Sequence, residues 1–138
     1  MSIFKTDALG NNAPIKKSLI ETIAASAILS STDSGTKYLV GTDALVVTLP
    51  VTKKGVEFTI INSGADGNNI ITISPAAGDA IIGSIANAAA DSVSGGVDGK
   101  DIINTKATAN KGDRITLIGD GASGWYIVEG VGIWASEA

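Results

Sequence analysis

The chain has 138 residues, enough for one domain that buries roughly 70% of its unfolded surface without the help of disulfides or metal. It contains no cysteine and no histidine, which excludes Ser-His-Asp and Cys-His nucleophilic chemistry and removes the commonest zinc ligand and pH switch. The net charge of −4 argues against non-specific nucleic-acid binding, which needs a basic surface.

The charge is unevenly placed. Residues 1–54 carry six lysines against four acids, and residues 55–138 carry four basic residues against ten acids. The N-terminal region is therefore a candidate contact for a partner that the acidic body does not touch. Seventeen glycines and only 17% charged residues suit an all-β fold with many tight turns and a surface partly covered by other subunits.

Residues 1–30 read as an N-terminal arm and first strand, and residues 31–138 as the β-domain. Ile3 and Phe4 form an apolar tip, followed by Lys5, a Gly10-Asn11-Asn12 turn signal, Pro14 and the pair Lys16 and Lys17. Over 18–30, Leu19, Ile23 and Ala27 also fit a helical stripe with Ser18 as N-cap and Glu21 as capping-box partner. Ile20 and Ile28 widen that stripe and no C-cap follows, so extended chain is expected. The apolar run 18–29 is interrupted by Glu21 and is shorter than the ~20 residues needed to span a bilayer. Neither a membrane segment nor a cleaved signal peptide is expected.

From Ser31 the pattern is regular. STDSG marks a turn, Lys37–Gly41 a short strand, and 41–43 another turn. Leu45–Pro75 then reads as a β-meander of three strands. Leu45–Leu49 is stopped by Pro50, Val56–Asn62 alternates with Val56, Phe58 and Ile60 on one face, and Ile70–Ser74 follows a Gly/Asn-rich loop. Gly78-Asp79 turns the chain into the apolar run Ala80–Ile82. Residues 83–110 read as a long surface excursion with one strand near Asp101–Asn104. Arg114–Gly119, a turn at Asp120–Gly124, Trp125–Glu129 and a last strand near Ile133–Ala135 close the chain. Adjacent Trp125 and Tyr126 must face opposite sides of their sheet. No repeat of solenoid period is visible.

Motifs for chemistry are weak. The acids Asp33, Asp43, Asp66, Asp79, Asp98, Asp113 and Asp120 stand in turn contexts, where a short carboxylate caps local backbone. The GGVDGKD run at 95–101 has calcium-loop composition but occurs once, with the wrong spacing. No GK[ST] phosphate loop is present. Neither catalytic residues nor a cofactor is expected, and the residues point to a structural or binding protein.

The segments TDSGTKYLVGTDALVVTLPVTKKGVEFTIIN, NNIITISPAAGDAIIGS and KGDRITLIGDGASGWYIVEGVG resemble small β-rich structural proteins of tailed bacteriophages, among them capsid decoration (cement) proteins. The resemblance spans about residues 32–132. It implies an all-β, antiparallel β-sandwich or barrel-like (jelly-roll-like) single domain, assembling as a homotrimer. The implied setting is the outer capsid surface of the virion, the protein being made in the host cytoplasm. The implied partners are the major capsid protein and the chain itself, with no nucleic acid and no membrane.

Matching positions, among them Gly35, Pro50, Gly55, Phe58, Gly78, Asp79, Asp113, Gly121 and Trp125, are expected to determine the fold. Contact with the shell or a neighbouring subunit is expected from Ile3, Phe4, Lys5, Lys16, Lys17 and Trp134. The alternative is a tail-fibre or receptor-binding module for a host surface glycan, with Tyr126 or Trp134 beside Asn and Asp in a shallow groove.

Overall fold

The computed structural model describes residues 3–6, 12–15, 19–85 and 92–138. They form fourteen strands: β1 (Ile3–Thr6), β2 (Asn12–Ile15), β3 (Ile20–Ile23), β4 (Ala27–Ile28), β5 (Lys37–Val40), β6 (Leu45–Thr48), β7 (Glu57–Asn62), β8 (Ile71–Ser74), β9 (Ala80–Ile85), β10 (Ser92–Gly95), β11 (Ile102–Asn104), β12 (Arg114–Gly119), β13 (Gly124–Val131) and β14 (Trp134–Ser136). Helix among the described residues is confined to single 3-10 turns at Ser31–Asp33 and Lys106–Thr108. A seven-stranded sheet, ordered β10-β9-β13-β12-β7-β5-β3, faces a five-stranded sheet ordered β14-β11-β8-β6-β4. The domain is an all-β sandwich.

Its connectivity differs from an antiparallel meander. From β3 to β8 the chain steps from one sheet to the other and back, and each strand lies parallel to the one two places earlier. This half of the molecule is a flattened parallel coil. Strands β6 and β8 are therefore neighbours in one sheet, while β7 lies in the other. The connections 49–56 and 63–70 are longer than the 2–5 residues of a hairpin loop. They bridge the roughly 10 Å between packed sheets instead. The coils are unequal, since Ile20 pairs with Lys37 but Lys37 pairs with Thr59, and this hides their period in the sequence.

The rest of the chain closes the sandwich antiparallel, except that β13 runs parallel to β9. The region 83–110 is not an open excursion. Strand β9 runs on to Ile85, β10 returns along it, and β11 lies inside the five-stranded sheet between β8 and β14. Strands β3 and β4 form the outermost edge of each sheet at the coil's start, extended rather than helical. Strands β1 and β2 pair as a hairpin, Ile3 opposite Ile15, in a two-stranded sheet of their own.

The core lies between the sheets. Phe58, Ile60, Ile71, Ile73, Ile81, Ile102, Ile115, Leu117 and Trp125 are wholly buried. Ring centroids run 6.0 Å from Tyr38 to Phe58 and 5.6 Å from Phe58 to Trp125, the offset spacing that aromatic quadrupoles favour. Polar ties cross the same space. Asn62 on β7 donates its side-chain amide to Asn104 Oδ1 on β11 at 2.9 Å. Asn104 Nδ2 in turn donates to Asp113 Oδ2 at 3.0 Å and to the Ile133 carbonyl at 3.1 Å. All three side chains are buried, so each bond replaces hydration lost on folding.

The turns explain the residues expected to determine the fold. Gly35, Gly55, Gly78 and Gly121 hold φ of 89°, 84°, 84° and 75°, which side chains disfavour. Asp79 accepts the Thr52 N–H at 2.8 Å, just beyond Pro50. Asp120 Oδ1 accepts three successive amides, from Ala122, Ser123 and Gly124, at 2.8–2.9 Å. Those bonds, led by Gly124 and Ala122, hold its carboxyl below the usual carboxylate range.

Candidate interaction surface

Each sheet buries alternate side chains and presents the others outward, and the outward sets differ. The strands of the five-stranded sheet read AI, LVVT, ITIS, IIN and WAS, with no charged residue among them. Register places Ala135, Ile103, Thr72 and Val46 in one outward row and Ser74, Thr48 and Ile28 in the next. Ile28 is 78% exposed. Charge appears only at the borders. At one end the Lys106 ammonium pairs with Asp43. At the other, Lys100 donates to the Ala138 oxygen at 2.6 Å and Glu137 accepts the Asp101 N–H at 3.2 Å. The Lys106 hydrogen bond, with the Ile70 N–H, holds the Asp43 carboxyl below its ordinary value.

The outer face of the seven-stranded sheet is mixed. Arg114 pairs with Glu129 across β12 and β13 at 3.0 Å, and Thr59 and Thr116 share a hydroxyl bond at 2.9 Å. Beside them runs a row of Glu57, Ile118, Tyr126 and Ile82. Tyr126 is exposed while Trp125 is fully buried, as adjacent positions on a strand require. The cross-strand neighbours of Tyr126 are both isoleucine, and no Asn or Asp stands at those positions.

A third feature is a groove where the coil begins. It encloses about 350 Å3 between β3, β4 and the Ser31–Asp33 turn, with Ile23, Ala25, Ile28 and Tyr38 in its lining and Glu21 and Asp33 as its described charged residues. A parallel coil leaves such an end because, among the described residues, its first strands have a strand neighbour on one side only.

The residues expected to make contacts separate sharply. Trp134 is 1% exposed, in the core, with its Nε1 donating to the Val131 carbonyl at 3.1 Å. The sandwich accommodates both tryptophans, so Trp134 is corrected from a contact residue to a core residue. Ile3, Phe4 and Lys5 lie on β1, and their side chains fall outside the described residues, as do Lys16 and Lys17 altogether. The sheet exteriors and the groove were missed in the sequence. The uncharged strand segments were the available signal.

Among the described residues no group of three or more acidic side chains converges to hold a metal, and Asp98 stands in an ordinary turn. No helix among them is long and apolar enough to cross a membrane. Comparison with protein-family models finds no match, and comparison with curated protein sequences finds none either.

Proposed function

We propose that this protein is a virion structural protein that decorates the outer surface of a bacteriophage capsid. It stabilises the shell by bridging neighbouring copies of the major capsid protein. The observation that carries the reading is the uncharged exterior of the five-stranded sheet. An acidic protein with 17% charged residues that keeps one face free of charge has a face suited to burial against another protein, since interface cores are depleted of charge. The resemblance of residues 32–132 to phage structural proteins supplies the setting.

Size explains why such a protein works as an oligomer. Five strands about 4.8 Å apart, two to four residues long at about 3.3 Å per residue, give a face of roughly 250 Å2. That is well under the ~800 Å2 per partner of a standard stable interface. A single copy therefore binds weakly, and a homotrimer engaging several sites multiplies its affinity through effective concentration. The rigid, cross-tied sandwich transmits load between the proteins it joins. Recognition of a glycan has less support, because Trp134 is buried and Tyr126 stands among isoleucines.

Co-sedimentation with purified undecorated shells tests the reading. Saturable binding is expected, weakened at least tenfold by Ile28→Lys, since losing burial of one such side chain costs about 1.5–3 kcal/mol. Absence of binding to any shell, or binding indifferent to Ile28→Lys and Val46→Lys together, overturns it.

A further inference from the structure

The outward side chains of the seven-stranded sheet fall into three parallel rows. The two flanking rows are largely apolar, with Ile82, Tyr126 and Ile118 in one and Val131, Ile61 and Leu39 in the other, broken by Glu57 and Arg114. The middle row runs Glu129, Thr116, Thr59, Lys37 across β13, β12, β7 and β5. Tyr126, Val128 and Val131 are 44%, 54% and 42% exposed. They stand together on one strand rather than scattered, the pattern of an interaction surface. Val128 is the extra residue of a β-bulge, unpaired between Ile127 and Glu129. The middle row carries opposite charges at its two ends. Glu129 pairs with Arg114 at 3.0 Å, while Lys37 is exposed and pairs with no carboxylate among the described residues. Such a row is complementary to itself reversed.

We infer that this face pairs with the same face of a second copy, about a two-fold axis running along the strands between β12 and β7. That axis reverses the strand order and keeps the rows in place. Lys37 of one copy then stands over Glu129 of the other, Thr116 over Thr59 and Val131 over Leu39. The contact is isologous, so each of these pairs occurs twice. A two-fold axis across the strands instead sets Glu129 over Glu129 and Lys37 over Lys37, which like charge disfavours. Stacked sheets lie about 10 Å apart, a gap that facing lysine and glutamate side chains span. Size also selects this face. The six overlapping strands, β9, β13, β12, β7, β5 and β3, are four to eight residues long. They cover roughly 540 Å2 on each copy, about 1,100 Å2 in total, which clears the ~1,000 Å2 of a specific interface. The five-stranded face offers less than half of that and stays free. The two-fold contact is separate from shell binding and additional to a three-fold contact made there, so either can fail without the other.

Charge exchange across the axis gives the test. Sedimentation equilibrium at up to about 200 µM suits an interface at the small end of the specific range, and the full-length chain is expected to form a dimer. Lys37→Glu and Glu129→Lys, each alone, are expected to raise the dissociation constant at least tenfold, because each sets like charges opposite one another in its own homodimer. Both positions are exposed, so the variants fold. Mixed one to one, they are expected to recover the wild-type level of dimer. In that heterodimer the two substituted residues meet at one contact and the natural pair forms at the other. Ile28→Lys, on the opposite sheet, leaves the association unchanged. A wild-type chain that stays monomeric or associates only in threes overturns the inference. So do single variants that dimerise like wild type, failure to recover on mixing, or loss of the dimer through Ile28→Lys.

Discussion

Replacing Asn104 by leucine tests whether the buried amide network ties the two sheets together. The change removes three hydrogen bonds, to Asn62, Asp113 and Ile133, at 2.9–3.1 Å. Asp113 keeps the Asn110 N–H at 2.9 Å, so the groups stranded outright are the Asn62 amide and the Ile133 carbonyl. At about 1–3 kcal/mol for each stranded buried group, plus the weakened Asp113, the loss is roughly 3–6 kcal/mol. Leucine burial returns about 1.5–3 kcal/mol of this at most. A net loss of about 1.5–3 kcal/mol is a large share of the roughly 5–15 kcal/mol that stabilises a domain. At about 4 °C per kcal/mol it lowers Tm by roughly 6–12 °C. Differential scanning calorimetry on Asn104→Leu and Asn104→Asp measures it. Asn104→Asp sets a second carboxylate beside Asp113 and is expected to lose more at pH 7, with the deficit narrowing as the introduced carboxyl takes up a proton. A Tm for Asn104→Leu within about 3 °C of wild type refutes the reasoning.

Gly124→Ala is expected to prevent folding or cost several kcal/mol, because φ is 147° and a Cβ runs into the Ala80 backbone. Gly78→Ala, with φ 84° and open space around it, should cost only about 1–2 kcal/mol of backbone strain; urea titration separates the two. Asp43 and Asp120 have carboxyls held low in the folded state. Their contribution is therefore present above the unfolded value near 3.8 and is lost as pH falls through the lowered values. Thermal melts should be flat from about pH 6 to 8 and decline below about pH 4, less steeply in Asp43→Asn/Asp120→Asn. Ile28→Lys, on an outer strand position 78% exposed, should leave Tm within about 2 °C while weakening shell binding.

Much of the local structure was legible in the residues. Alternation marked β7, turn chemistry at Gly78-Asp79 and Asp120–Gly124 bounded β9 and β13, and Pro50 ended the run of β6. The connectivity was not legible. Period-two alternation says that a strand has one buried face but not which sheet it joins, and the unequal coils leave no repeat to count. The region 83–110 is so rich in alanine, glycine and serine that neither face of β9 and β10 stands out in the sequence. Trp134 read as a contact residue because the depth of the core between two sheets does not appear in a linear chain. The uncharged strands of the five-stranded sheet were present in plain sight. They gain meaning only once β4, β6, β8, β11 and β14 are known to lie side by side.

The most direct measurement is the copy number of this protein on purified virus particles, by quantitative mass spectrometry against the major capsid protein. Decoration predicts copies in fixed proportion to capsid protein, hundreds per particle, removable from the outside without opening the shell. A handful of copies per particle, or none, contradicts it.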